Sequence, residues 1–230
     1  MTITLISGTN TDVGKTIATA ALALRSRSEG RTVCVMKPAQ TGEPEGSGDL
    51  ATITRLTGLD AAQLIECARF PEPLAPDISA RRAGMDPLAL GTVLDAVSAA
   101  AERCDHLLIE GAGGLLVRLG VEKNSPWTLA DLGICLQEQG LAPECVLVTT
   151  AALGTLNSTE LSVEALRRRG LECAELIIGS YPSEPELAER LNLEDLPDVT
   201  GVPLGAVIPA GVGALSPEEF QAQAPSWFRG

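Results

Sequence analysis

The chain has 230 residues, 45% of them hydrophobic, which is enough for one sizeable core, so a single domain over residues 1–230 is expected. A formal net charge of −13 excludes a broad nucleic-acid surface, because phosphate binding needs clustered Lys and Arg to release counterions. Six scattered cysteines form no CxxC pair, one histidine is present, and neither a basic leader nor a span-length apolar run is seen, so a reduced cytoplasmic protein is expected.

Residues 3–7 are the first of six short apolar or β-branched runs; the others are 32–35, 106–109, 145–149, 175–178 and 204–208. Each reads as a buried strand. Helical spacing falls between them over 16–27, 87–103, 128–139, 157–168 and 184–191, with a further short helix over 49–57. Strands alternating with helices predict an α/β domain with a mostly parallel sheet and helices on both faces. The Gly-rich segment 42–48 and the Pro-rich segment 70–76 read as active-site loops, and the tail from 209 onward has no assignable rhythm.

The strongest motif follows the first predicted strand and opens the first predicted helix: Gly8-Thr9-Asn10-Thr11-Asp12-Val13-Gly14-Lys15-Thr16. That is the setting of a P-loop, whose backbone N–H groups converge on phosphate oxygens at the positive end of a helix. Lys15 reaches the outer phosphates in such a loop, and the Thr16 hydroxyl ligates magnesium. The spacing is one residue longer than the common G-x-x-x-x-G-K-[ST], with Thr9 at the expected first glycine.

Lys37 follows the second predicted strand, and the carboxyl ends of strands in an open parallel sheet are where ligands bind. Alone it would read as a solvated charge; beside the P-loop in strand order it reads as functional. Asp49, at the start of a predicted helix, is by itself better read as a cap. Glu110 ends the run Leu107-Leu108-Ile109 and precedes Gly111-Ala112-Gly113-Gly114, so it reads as a magnesium-binding carboxylate beside closely approaching backbone. Residues 152–159 place a helix start after another strand, where free N–H groups can bind an anion or only water. His106, Trp127, Trp227 and Phe228 read as structural.

The P-loop, Lys37-Pro38-Ala39-Gln40-Thr41-Gly42 and Glu110-Gly111-Ala112-Gly113-Gly114 together resemble dethiobiotin synthetase, in which the longer P-loop is the usual form. Glu72-Pro73-Leu74-Ala75-Pro76 and Leu153-Gly154-Thr155-Leu156-Asn157 extend the resemblance to about residue 182. It implies the P-loop NTPase fold and a ligase of biotin biosynthesis. That enzyme joins carbon dioxide to diaminopelargonic acid at the expense of ATP, through a carbamate and a carbamic-phosphoric anhydride.

By the same resemblance Lys15 and Lys37 are catalytic, and Thr16, Asp49 and Glu110 hold magnesium. Asp12, Val13, Gly14, Lys15, Thr16, Ile17, Gly111, Ala112 and Gly113 bind nucleotide, and Thr11 and Thr41 position the diamine. The family is a homodimer, so Thr155, Leu156 and Asn157 are expected to take the substrate carboxylate of the neighbouring subunit. The best-known form of the family reads adenine with an Asn-Asp pair; this chain has Gly179-Ser180 there. Backbone of Gly179, Ser180, Pro209, Ala210 and Gly211 is then expected to line a base pocket of loose selectivity, open to CTP as well as ATP.

Three other readings are weighed against this one, the blandest being a non-catalytic nucleotide-binding module. A partner-regulated ATPase of the kind that positions cell-division machinery resembles its relatives in a further lysine early in the P-loop, where this chain has Asn10. A cobyrinic acid amide synthetase would carry a glutaminase domain, for which 230 residues leave no room.

Overall fold

The structure is a computed structural model describing residues 1–229. In chain order its strands and helices are β1 (Thr2–Gly8), α1 (Lys15–Ser28), β2 (Val33–Thr41), α2 (Asp49–Thr57), β3 (Leu64–Phe70), α3 (Pro76–Ala83), α4 (Leu90–Ala101), β4 (His106–Gly114), β5 (Arg118–Glu122), β6 (Ser125–Thr128), α5 (Leu129–Glu138), β7 (Glu144–Thr149), α6 (Thr155–Arg167), β8 (Cys173–Tyr181), α7 (Leu187–Thr200), β9 (Leu204–Pro209) and α8 (Pro217–Gln223). Seven strands form one parallel sheet in the order β3-β2-β4-β1-β7-β8-β9, and β5 and β6 form a separate antiparallel hairpin.

Both faces of the sheet are covered, as the near-continuous apolar strands require. On one face Ala18, Leu22, Ile53 and Phe220 from α1, α2 and α8 pack on Ile6, Val35 and Leu108. On the other, Val93, Val97, Leu132 and Leu136 from α4 and α5 pack on Leu5, Met36 and Ile109. Helices α6 and α7 close the β7–β9 end through Val163, Leu196 and Ile178. No helix among the described residues is long and apolar enough to cross a membrane.

All six predicted strands are present, and three further pieces are added. Strand β3 lies at the sheet edge and carries Glu66 and Arg69 among apolar residues, so neither an apolar run nor strict alternation marks it. The β5–β6 hairpin turns on Lys123 and Asn124, both with positive φ, a two-residue turn without the usual glycine. Helix α3 has Pro76 in its first turn and Gly84 in the left-handed conformation after its last, a pairing legible in sequence. Helix α7 runs Leu187–Thr200 instead of 184–191; it passes through Pro197 and stops at left-handed Gly201.

The tail is ordered by packing, not periodicity. A capping box at Ser216 and Glu219 starts α8, and the Phe220 and Trp227 rings meet edge to face at 5.0 Å. Phe228 bridges to Ala206 and lies under the Arg25 guanidinium, 4.4 Å from the ring centre, while Arg25 also forks onto Glu175.

His106 is structural, as expected. Its Nε2 and Nδ1 lie 2.8 Å from the hydroxyls of Thr4 and Ser26, and burial, with Arg31 and Arg25 nearby, holds its pKa at about 4. Its folded pKa is below the unfolded value, so its contribution is complete above about pH 6.5 and is lost as pH falls toward 4. Urea unfolding at pH 7 and pH 4 is expected to show the wild type losing about 2 kcal/mol more than His106→Gln. Equal losses would mean that the ring is not held neutral.

Candidate active site

The P-loop is fixed at both ends by backbone that admits no side chain. A Cβ on Gly8 would stand 2.7 Å from the Asn10 carbonyl, and Gly14, the N-cap of α1, has φ +92 and no side-chain cap. Asp12 also adopts a left-handed conformation, one of the residues that tolerate it. Gly14 and Gly179 lie back to back: a Cβ on Gly14 would come within 2.5 Å of the Gly179 carbonyl oxygen. Thr9 N–H donates to the Val148 carbonyl at 2.9 Å, tying the loop to β7.

Around this loop a cleft of about 430 Å³ gathers Thr11, Asp12, Gly14, Lys15, Thr16, Ile17, Lys37, Thr41, Asp49, Glu110, Ala112 and Gly113. Val13 is buried beneath the loop, and Gly111 contributes its carbonyl to Lys37. The sequence expectation that Lys37 and Glu110 follow strand ends is corrected, since β2 continues to Thr41 and β4 to Gly114. Pairing of β2 with β4 ends at Met36 opposite Ile109, whereas β2 stays paired with β3 through Thr41. Pro38 has no N–H to extend the first ladder, and the strands part where Lys37 and Glu110 face each other.

Lys37 is buried, with its ammonium 2.5 Å from Asp49 Oδ2, 3.0 Å from Glu110 Oε1 and 2.8 Å from the Gly111 carbonyl. The Thr16 hydroxyl lies 2.9 Å from Asp49 Oδ1 and 3.1 Å from Glu110 Oε1, and Thr19 donates to Glu110 Oε2 at 2.7 Å. Burial raises the Glu110 pKa; Lys37 opposes the rise and the neighbouring Asp49 carboxylate adds to it. At Asp49 burial also pushes upward, but Lys37 outweighs it and the carboxyl sits below its ordinary range. For Lys37 burial is outweighed by the two carboxylates, and its pKa stands above that of an ordinary lysine. Burial lowers Lys15, whose ammonium donates to the Asn10 carbonyl at 3.0 Å.

Asp49 is not a cap. Gly48 is the N-cap of α2, with φ +97, and Asp49 turns its carboxylate to Thr16 and Lys37. Gln40, which sequence reasoning passed over, supplies the missing acceptor: its Oε1 takes the Asp49 N–H at 3.0 Å. Thr19 was likewise passed over. Its place one helical turn after Lys15 is the only trace in the sequence.

The remaining expected residues fall into two groups outside the cleft. Gly179 and Ser180, near the end of β8, lie beside Pro209, which ends β9, and Ala210 and Gly211 after it, joined by the Ala210 N–H to the Tyr181 carbonyl at 2.7 Å. Gly213 packs on Ile17, so this corner adjoins the P-loop. Thr155, Leu156 and Asn157 open α6 but do not line the cleft. The Thr155 hydroxyl bonds inward to the Thr150 carbonyl and Thr149, leaving exposed Asn157 and the helix start, not that hydroxyl, to face solvent. Burial raises the thiols of Cys145 and Cys173 to about 12, which disfavours the reactive thiolate.

The Thr16 hydroxyl lies within about 3 Å of both the Asp49 and the Glu110 carboxylates, hard oxygen donors of the kind magnesium takes. With the phosphate-cradling loop and two lysines, the cleft suits stabilisation of charge on a transferring phosphoryl group.

A family model described as AAA domain matches residues 3–213. The chain is 53% identical to the ATP-dependent dethiobiotin synthetase BioD of Rhodococcus jostii, over 99% of this chain and 95% of that protein. The synthetases of Streptomyces coelicolor and Corynebacterium diphtheriae match at 50% and 48%, over 99% and 96% of this chain and 92% and 94% of theirs. Among solved structures, a MinC:MinD cell division complex of Aquifex aeolicus matches with TM-score 0.54 at 15% identity, over 97% of this chain and 86% of that one. The signal recognition particle receptor FtsY of Elizabethkingia anophelis matches with TM-score 0.55 at 19% identity, over 97% of this chain and 65% of that one. These two likenesses show the P-loop NTPase fold alone. Sequence identity near one half, sustained over nearly the full length of both partners, decides the family: this chain belongs to the dethiobiotin synthetases.

Proposed function

We propose that this single-domain chain is a cytoplasmic, ATP-dependent dethiobiotin synthetase acting on diaminopelargonic acid in biotin biosynthesis. The observation that carries the reading is the convergence of Lys15, Thr16, Lys37, Asp49 and Glu110 on one cleft, in a chain of that family. Incubation with ATP, magnesium, bicarbonate and diaminopelargonic acid should yield dethiobiotin by mass spectrometry; no product with folded protein would refute it.

The chemistry uses these residues as follows. One substrate amine takes up carbon dioxide as a carbamate, its oxygen attacks the γ-phosphorus with ADP leaving, and the second amine displaces phosphate to close the ring. Thr11 and Thr41, both lining the cleft, position the diamine. Lys15 and Lys37 meet the negative charge gathered by carbamate and phosphoryl oxygens. Held by Thr16, Asp49 and Glu110, magnesium would neutralise charge on the outer phosphates.

The reading includes a homodimer in which the α6 start, Thr155 to Asn157, takes the substrate carboxylate bound to the other subunit. Exposed Leu153 and Leu161 flank that helix start and suit burial against a second copy. Sedimentation at assay concentration should show a dimer. A fully active monomer would remove the shared site.

Base selection is expected to be loose. Gly179 offers no side-chain amide, leaving backbone at Gly179, Ser180, Pro209, Ala210 and Gly211 to meet the base. A lost bidentate contact is worth about 1–3 kcal/mol, so CTP should support turnover within about tenfold of ATP. Dissociation constants and rates for ATP, CTP, GTP and UTP at one magnesium concentration test this, and a hundredfold preference for ATP over the others would overturn it.

A further inference from the structure

We propose that the Lys37 ammonium is the resident counterion of the Asp49–Glu110 pair, and that a divalent cation binds those carboxylates only when Lys37 leaves them for the outer phosphate of a bound triphosphate. The inference rests on the proposed function only in taking the cleft as a magnesium–triphosphate site.

The geometry makes the two cations rivals. Glu110 Oε1 serves both the Lys37 ammonium, at 3.0 Å, and the Thr16 hydroxyl, at 3.1 Å, and Asp49 is shared in the same way through its two oxygens. Magnesium takes its oxygens at about 2 Å, so a cation sharing Glu110 Oε1 or Asp49 Oδ2 with the ammonium would lie within about 5 Å of it. In a buried site like charges that close exclude one another.

Local charge gives the direction of the exchange. Lys37 already lies between the two carboxylates, so a bare divalent cation adds positive charge beside it in a site closed to water at Glu110. A triphosphate removes that excess and offers Lys37 a new partner. The wall of the cleft permits the movement, because β2 and β4 part at Lys37 and the cleft continues toward Thr41. Lys37 thereby becomes a gate that couples metal loading to nucleotide loading, apart from any part it takes at the reacting phosphorus.

Manganese binding followed by electron paramagnetic resonance tests this without substrate. Wild-type protein alone should bind manganese weakly, Lys37→Gln alone at least about tenfold more tightly, and Lys37→Gln/Glu110→Gln should lose the gain. Magnesium alone should raise the melting temperature of Lys37→Gln and leave that of the wild type unchanged. Equal nucleotide-free manganese affinity in wild type and Lys37→Gln overturns the proposal. Should Lys37→Gln not fold, the wild type decides: manganese bound as tightly without nucleotide as with a non-hydrolysable triphosphate overturns the proposal, and a gain with the triphosphate supports it. Synthesis of dethiobiotin is not an input to any arm, so failure of the gate and failure of the proposed reaction are read separately.

Discussion

Lys37→Gln is expected to lower turnover about a hundredfold at saturating magnesium and nucleotide, the effect of removing about 3 kcal/mol of charge stabilisation at a reacting centre. The KM for nucleotide should change less than turnover, because the P-loop backbone and Lys15 still hold the triphosphate. The structure adds a second consequence that exposure-based reasoning about lysine would miss. Lys37 is buried between two carboxylates, and breaking such a pair typically costs about 3–5 kcal/mol. Metal-free Lys37→Gln should therefore melt earlier than the wild type, and its rate is to be measured with magnesium present and folding checked by circular dichroism. Near-wild-type turnover under those conditions would remove Lys37 from the reaction.

Gly179→Ala should damage the nucleotide site from beneath. A Cβ at this position would fall on the Val13 carbonyl oxygen and stand 2.8 Å from Val148 Cγ1, so strand β8 and the P-loop must separate to admit one methyl group. Neither neighbour is a flexible side-chain end. Overpacking of this kind costs about 1–3 kcal/mol or more, and displacement of the loop should weaken triphosphate binding at least tenfold. Urea unfolding and nucleotide titration read the two effects; wild-type values in both would contradict the contact between β8 and the loop. The same crowding explains why an adenine-reading amide at this position is incompatible with the present packing, whatever loop follows.

The charge-bearing motifs needed little beyond the chain itself. The Gly8–Thr16 loop has fixed local geometry, because strand, glycines and helix start are contiguous, and the alternation of apolar runs with helical segments dictates a parallel sheet with both faces covered. Glu110 and Lys37 were legible as candidates because each borders a buried run. What they touch was not legible, since Lys37 and Glu110 are 73 residues apart and meet only through the β2–β4 pairing and its opening at Pro38. Asp49 read locally as a cap, and only the tertiary structure gave that place to Gly48 and freed the carboxylate for Thr16 and Lys37.

The roles of Gln40, which sits within the Lys37–Gly42 stretch, and of Thr19 are not legible in sequence, because each acts through a contact made only in the fold. Edge strand β3 and the tail were hidden for a related reason. Their order comes from neighbours, Val35 to Thr41 for β3 and the α1–α2 face for Phe220 and Trp227, and not from any period of their own. The sequence by itself determined the fold class, the phosphate loop and which charges are available. Only the tertiary structure decided how those charges are paired, because ion pairing depends on distance in space and on removal from water, neither of which is written in sequence order.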